Sequence, residues 1–199
     1  MAKTGYCLMV LLACVSCLRD SSVSRLASAR EVWEGALLRD WRAADISVWL
    51  ARIPKGLEAD AMFALASDPE VTAMEWRAVV AWQNSMPPDS EACRYAWWVQ
   101  MCYQFNVSEF TREELFEVVA EGDPWRVLKA VRVLCRDTSD SARWVEAAER
   151  WANGLMKGSV KETGGNLIFD DLPIQRLGAA MRLVLASAGI DVSRIEEIW

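Results

Sequence analysis

The sequence predicts an all-α protein, either a helical bundle or a short array of αα-hairpins. Apolar residues recur at helical spacing along most of the chain. Helix-capping signals precede several of these segments, and a helix–proline–helix pattern returns after 33 residues. The segment 159–170, around Gly164-Gly165, departs from this pattern and is interpreted either as one small β-hairpin or as an irregular loop.

Length and composition indicate a single folded domain. The chain has 199 residues, of which 53% are hydrophobic, so it buries a sizeable core and is not disordered. We assign residues 24–199 to this domain and residues 1–18 to a separate apolar segment. The net charge of −6 gives a surface that repels phosphate, which argues against a nucleic-acid partner.

The chain contains no histidine. This removes the commonest general base at neutral pH, the commonest metal ligand and the imidazole of Ser-His and Cys-His mechanisms. We therefore predict no catalytic residue, no metal site and no cofactor.

The N-terminal run Gly5–Leu18 is apolar and carries no charge. It is shorter than the roughly 20 residues that a transmembrane helix needs, but it suits the core of a signal peptide. Leu11-Leu12-Ala13-Cys14 resembles the lipobox of bacterial lipoproteins, which implies cleavage before Cys14 and a lipid on its thiol. The alternative is a buried first helix, so the sequence leaves an envelope or a cytoplasmic location open.

The first half of the domain is predicted to be a series of helices. Residues 24–53 form two helices or one bent helix, and Leu57–Ser67 forms the next. Thr72 and Glu75 form a capping box for the helix that ends before Pro87.

Residues 41–67 and 74–100 are predicted to be two copies of a 33-residue unit. Each copy has a helix, a proline-marked turn and a second helix, as in helical-repeat proteins. The matching residues lie at the turn and at an aromatic anchor: Trp49 and Trp82, Pro54 and Pro87, Glu58 and Glu91, Ala59 and Ala92.

The segment Met86–Phe105 is predicted to be the central helix, with Asp89 or Ser90 at its start. Its many large side chains need neighbours on several sides. We therefore expect Trp97 and Trp98 to be core residues first and binding residues second.

The second half continues as helices. Thr111 and Glu114 form another capping box, and Pro124 suits the first turn of a helix with a strong apolar face. Residues 142–155 and the segment from Pro173 to Ser187 are predicted to be the last long helices, with Gly189 as the terminal cap.

Pro87–Cys102 and Trp41–Ala66 share a pattern of proline, then Glu-Ala, then tryptophan. In this pattern the chain resembles an uncharacterised bacterial family of helical, tryptophan-containing proteins of similar length. Asp137–Trp151 and the Gly-Gly loop also resemble that family. The resemblance implies a helical fold and brings no catalytic residues.

We expect a non-enzymatic adaptor that binds another protein, because the eleven tryptophans are of a type enriched at binding hot spots. Trp41, Trp76 and Trp125 are the candidate partner-binding residues. One alternative is an envelope lipoprotein that acts as a secretion accessory or immunity-type binder, attached to the membrane only through the N-terminus. The other is a carboxylate enzyme, but the acidic run Glu113–Glu121 is typical of a solvated helix face.

Overall fold

The protein is all-α. The structure, a computed structural model, describes residues 29–38, 43–121, 123–137, 141–156 and 174–193, and every regular element in these ranges is helical. A 3₁₀ turn, Val107–Glu109, follows α6. The α-helices are α1 (29–37), α2 (Ala43–Leu50), α3 (Glu58–Ala66), α4 (Ala73–Asn84), α5 (Glu91–Arg94), α6 (Ala96–Gln104), α7 (Arg112–Glu121), α8 (Pro124–Leu134), α9 (Ser141–Met156) and α10 (Ile174–Ser187).

Three predictions concern residues outside these ranges. They are the apolar segment 1–18 with Cys14, the hairpin or loop at 159–170, and the role of Trp41. All three stay predictions.

The capping signals in the sequence start the helices where they were expected. The Thr72 hydroxyl accepts from the backbone N–H of Glu75, whose carboxylate accepts from the Thr72 backbone N–H at 2.7 Å. Thr111 and Glu114 repeat this capping box at α7. Pro124 occupies the first turn of α8, and Gly189 follows α10 with φ of 77°.

The prediction of a single helix over Met86–Phe105 is wrong in one respect, because this segment contains two helices, α5 and α6. Ser90 caps α5, which ends at Arg94, and α6 begins after Tyr95. Tyr95 has φ −94° and ψ 6°, between helical and turn geometry. The break lets the two segments follow different neighbours, since α5 contacts α3 and α4 whereas α6 contacts α3 and α8.

The two predicted repeat units correspond in their secondary structure. Glu58 begins α3 and Glu91 begins α5, so the second helices start 33 residues apart. The equivalent helices also lie against each other, because α2 packs on α4 and α3 packs on α5 and α6. The division of the domain into repeats stays a prediction.

The central helix of the described chain is α8 rather than the Met86–Phe105 segment. α8 packs against α6, α7, α9 and α10. Its apolar face is at most 1% exposed and consists of Val127, Leu128, Ala130, Val131 and Leu134. Burial of such a face on several sides stabilises the fold by the largest favourable term in folding.

Candidate functional site

The predicted partner-binding tryptophans are mostly buried. Trp76 is 7% exposed and Trp125 is 6% exposed, so each offers little surface to a partner. The Trp76 ring stacks on the Tyr103 ring with the centroids 4.2 Å apart and the planes 6° apart. Trp76 therefore holds α4 against α6, and its binding role stays a prediction.

Among the tryptophans of the described ranges Trp97 is the most exposed, with 48% of its residue area accessible. Its prediction as a core residue is wrong, whereas Trp98 is partly buried and packs against the core. The reason is that Trp97 and Trp98 are adjacent on α6 and point in different directions, so a one-sided contact buries only one of them.

Trp97, Trp98 and Trp125 form one cluster, which we call the tryptophan patch. The Trp97 ring lies edge-on to Trp98, with centroids 4.9 Å apart, and edge-on to Trp125 at 5.8 Å. Trp98 and Trp125 are 4.7 Å apart. Such contacts contribute about 0.5–1.5 kcal/mol each beyond buried area, so the exposed indole is held in place before any partner arrives.

α8 supplies the second notable feature, a row of cations. Lys129 and Arg132 are three residues apart, which places them on one face of α8, and Arg136 follows in the turn after the helix. This face meets the turn between α3 and α4 that contains Asp68 and Glu70. Arg136 pairs with Glu70 at 3.0 Å at the surface.

Lys129 is 5% exposed and caps the C-terminal end of α6. Its Nζ donates to the backbone carbonyls of Cys102 at 3.2 Å and Tyr103 at 2.8 Å. These carbonyls lie in the last turn of α6, where carbonyls lack intrahelical partners and the helix dipole is negative. Burial lowers the pKa of the Lys129 ammonium below its ordinary value.

Arg132 caps the end of α3 in the same way. Its Nη1 donates to the Ala64 carbonyl and to the Ser67 hydroxyl, the latter at 2.8 Å. Its Nη2 lies 4.0 Å from the Asp68 carboxylate, and both side chains are at least 92% buried. Two cations one turn apart on α8 therefore satisfy the ends of two other helices.

Two clefts flank the Asp68-Pro69 turn. The first has a volume of 260 Å³ and contains Arg132, Cys135 and Arg136 in its wall. The second has a volume of 300 Å³, and its polar wall residues are Asp68, Tyr103, Gln104, Asn106 and Lys129. The second is at the lower limit of the volumes typical of small-ligand pockets.

Two cysteines, Cys102 and Cys135, are held protonated, and two carboxylates of the predicted acidic run make contacts that support the fold. Burial raises the pKa of the Cys102 thiol and of the Cys135 thiol to about 12, which keeps both protonated at neutral pH. In the predicted acidic run, Glu113 pairs with Arg143 at 2.8 Å and Glu114 caps α7. Across the described ranges, no three Cys, Asp or Glu side chains group closely enough to hold a metal ion.

The sequence did not predict that Lys129 and Arg132 cap other helices, and the prediction that Trp97 is a core residue was wrong. The spacing of the α8 cations was visible, but it does not show which helix ends they approach. The exposure of Trp97 likewise depends on where α8 crosses α6.

Comparison with protein-family models, with curated proteins and with solved structures gave no match. The resemblance to a bacterial family of helical proteins stays an expectation. Among the helices described, none combines the length and apolar character that crossing a membrane requires.

Proposed function

We propose that this chain is a non-enzymatic helical adaptor that binds a protein partner through the tryptophan patch. The single observation that supports the proposal most is the exposed indole of Trp97, 48% accessible and packed edge-on against two further tryptophans. Tryptophan is among the residues most enriched at binding hot spots. A rigid aromatic side chain also loses little conformational entropy on binding.

In this proposal Trp125 supports the Trp97 ring from the buried side and does not itself contact the partner. It is 6% exposed and touches both Trp97 and Trp98. Its role in this proposal is to fix the orientation of the exposed ring, so the binding surface of the patch is mainly Trp97.

The test is selection of binders from a displayed library of random peptides on the immobilised protein, followed by Kd measurements with the variants Trp97→Ala and Trp97→Phe. We expect Trp97→Ala to weaken the selected peptides by about tenfold or more, which corresponds to about 1.4 kcal/mol or more. Trp97→Phe retains an aromatic face and should recover part of the affinity.

Met74→Ala is the matched control, because Met74 is a large apolar side chain, 69% exposed, on a different helix. It should leave the affinities unchanged. Circular dichroism checks that each variant is folded. Selected peptides that bind Trp97→Ala as tightly as the unaltered protein would refute the proposal, as would a selection that enriches no sequence.

A further inference from the structure

The outward side of α6 is a continuous stripe of four residues, which we call the α6 face. Positions separated by three, four and seven residues lie on the same side of a helix. The residues with this spacing are Trp97, Gln100, Met101 and Gln104. The first and last of them are exposed, and the middle two are partly buried. Val99 and Cys102, on the opposite side of the helix, are fully buried.

The α6 face carries no charge. Among the helices of the described ranges, α6 is the only one whose sequence lacks Asp, Glu, Lys and Arg. The charge-free run extends from Tyr95 to Ser108, in a chain of which 25% is charged. Depletion of charged residues together with enrichment in tryptophan and methionine is the composition of an interface core. The α6 face therefore has the composition of a protein–protein contact.

The absence of charge makes this face complementary to itself. The net charge of the chain is −6, so contact between two identical surfaces brings like charges together wherever the surface is charged. A contact between two α6 faces avoids this repulsion. A glutamine amide carries both N–H donors and a C=O acceptor, so Gln100 and Gln104 can pair with glutamines of a second copy. A carboxylate or an ammonium cannot pair with its own kind in this way.

Charged residues of opposite sign border the two ends of the face. Arg94 is exposed and precedes Trp97 by three residues. At the other end, the Glu109 carboxylate accepts from the Asn106 side chain at 2.8 Å, and Asn106 lines the same cleft as Gln104. Antiparallel packing brings the Arg94 end of one copy to the Glu109 end of the other, whereas parallel packing brings Arg94 to Arg94. The charges and the helix dipoles therefore favour an antiparallel pair.

A two-fold axis across an antiparallel pair determines which residues meet. The middle of the α6 face lies between Gln100 and Met101, so position 97 of one copy faces position 104 of the other. The Trp97 indole N–H can then donate to the amide oxygen of Gln104 in the second copy, and the Met101 thioether adapts to the space between the helices. The two copies of Gln100 come close together beside the axis.

The length of α6 limits the strength of this contact. Its nine residues cover about 13 Å at 1.5 Å per residue. A contact of this length is smaller than the roughly 800 Å² per partner that a stable interface buries. We therefore expect a reversible dimer with a Kd on the order of 100 μM.

We propose that the partner of the tryptophan patch is a second copy of this chain, packed antiparallel through its own α6 face across a two-fold axis. This inference rests on the proposed function, because it uses Trp97 as the anchor. It names the partner, the symmetry of the contact and the residues that meet.

Sedimentation velocity of the full chain, from about 10 to about 1,000 μM, measures the association. We expect the weight-average mass to rise from that of a monomer towards that of a dimer over this range. Trp97→Ala should raise the Kd by about tenfold, because it removes the aromatic anchor from both copies. Circular dichroism checks that the variant is folded.

The variants Gln100→Glu and Gln100→Lys test the position of the two-fold axis. Each one places like charges beside each other in the dimer, so each alone should weaken the association by at least about tenfold. An equal mixture of the two should restore it, because a carboxylate of one copy then meets an ammonium of the other. Gln83→Glu is the matched control, since Gln83 is a partly buried glutamine on α4, and it should leave the association unchanged.

The outcomes separate this inference from the proposed function. A chain that stays monomeric while selected peptides still bind through Trp97 would overturn the inference, leave the proposed function in place and make a different protein the partner. Association that neither Trp97→Ala nor the Gln100 variants weaken would also overturn it, because the contact would then lie elsewhere on the chain. A monomeric chain whose selected peptides ignore Trp97→Ala would overturn both proposals.

Discussion

Replacing Lys129 by methionine isolates the contribution of the buried ammonium to the fold. Methionine retains an apolar stem of similar length but donates no hydrogen bond. The carbonyls of Cys102 and Tyr103 then lose a donor each, at 3.2 and 2.8 Å. An unsatisfied buried acceptor costs about 1–3 kcal/mol, so the gross loss is about 2–6 kcal/mol.

The net loss is smaller because the variant also removes a buried charge. Burial lowers the Lys129 pKa, which shows that the ammonium is held at some cost in the native state. We therefore expect the free energy of unfolding to fall by about 3 kcal/mol. With a urea m-value of about 3 kcal/mol/M or less, the unfolding midpoint should move down by about 1 M or more.

Arg126→Met is the matched control, since Arg126 is a cation on the same helix whose side chain is 47% exposed. Such a surface change should alter stability by about 0.5 kcal/mol or less. Urea titrations followed by tryptophan fluorescence and by circular dichroism measure both variants. Equal midpoints for Lys129→Met and Arg126→Met would refute the argument that the buried ammonium stabilises the end of α6.

Three further changes test separate parts of the fold. Thr72→Ala should destabilise the protein by about 1 kcal/mol in urea titrations, because it opens the capping box of α4, and an unchanged midpoint would contradict this. Gly189→Ala should cost about 1 kcal/mol, because φ is 77°, whereas Ala188→Ser, at the neighbouring position, should cost less. Because the Cys102 pKa is raised to about 12 from 9.0, the folded state retains the proton that the unfolded chain releases. The stabilisation by this thiol is complete below pH 9 and declines towards pH 12, so the stability difference between the unaltered protein and Cys102→Ala should shrink by about 2 kcal/mol from pH 8 to pH 11. A difference that stays constant with pH would contradict the raised pKa.

The local signals of the sequence predicted much of this fold. Thr72 with Glu75, Thr111 with Glu114, and Pro124 each act within one helical turn, so the chain around them determines the outcome. A helix start at Asp89 or Ser90 was predicted for the same reason, and the structure has Ser90 as the cap. These features can therefore be predicted without knowing how the neighbouring helices pack.

The features that were missed all depend on contacts between distant parts of the chain. Lys129 donates to carbonyls 27 and 26 positions earlier, and Arg132 donates to the Ala64 carbonyl 68 positions earlier. A helical wheel shows that these cations share a face with each other. It does not show that the face is buried against the ends of α3 and α6.

The prediction that Trp97 is a core residue was wrong for a related reason. A cluster of large aromatic residues predicts burial on average, but a helix contacted from one side exposes the residues of its other side. The crossing of α6 by α8 buries Trp125 and leaves nearly half of Trp97 accessible. The sequence shows that a large aromatic residue is present at position 97. It does not show which side of α6 is covered by α8.

α8 links the stability of the domain to its proposed binding surface. One end of this helix places Trp125 against the exposed indole of Trp97, and one turn later Lys129 fixes the end of α6. Because both contacts bear on α6, the packing of α8 on α6 helps to fix the position of the patch. A partner that binds the patch therefore meets an indole whose orientation is set before binding, which reduces the ordering cost that association otherwise carries.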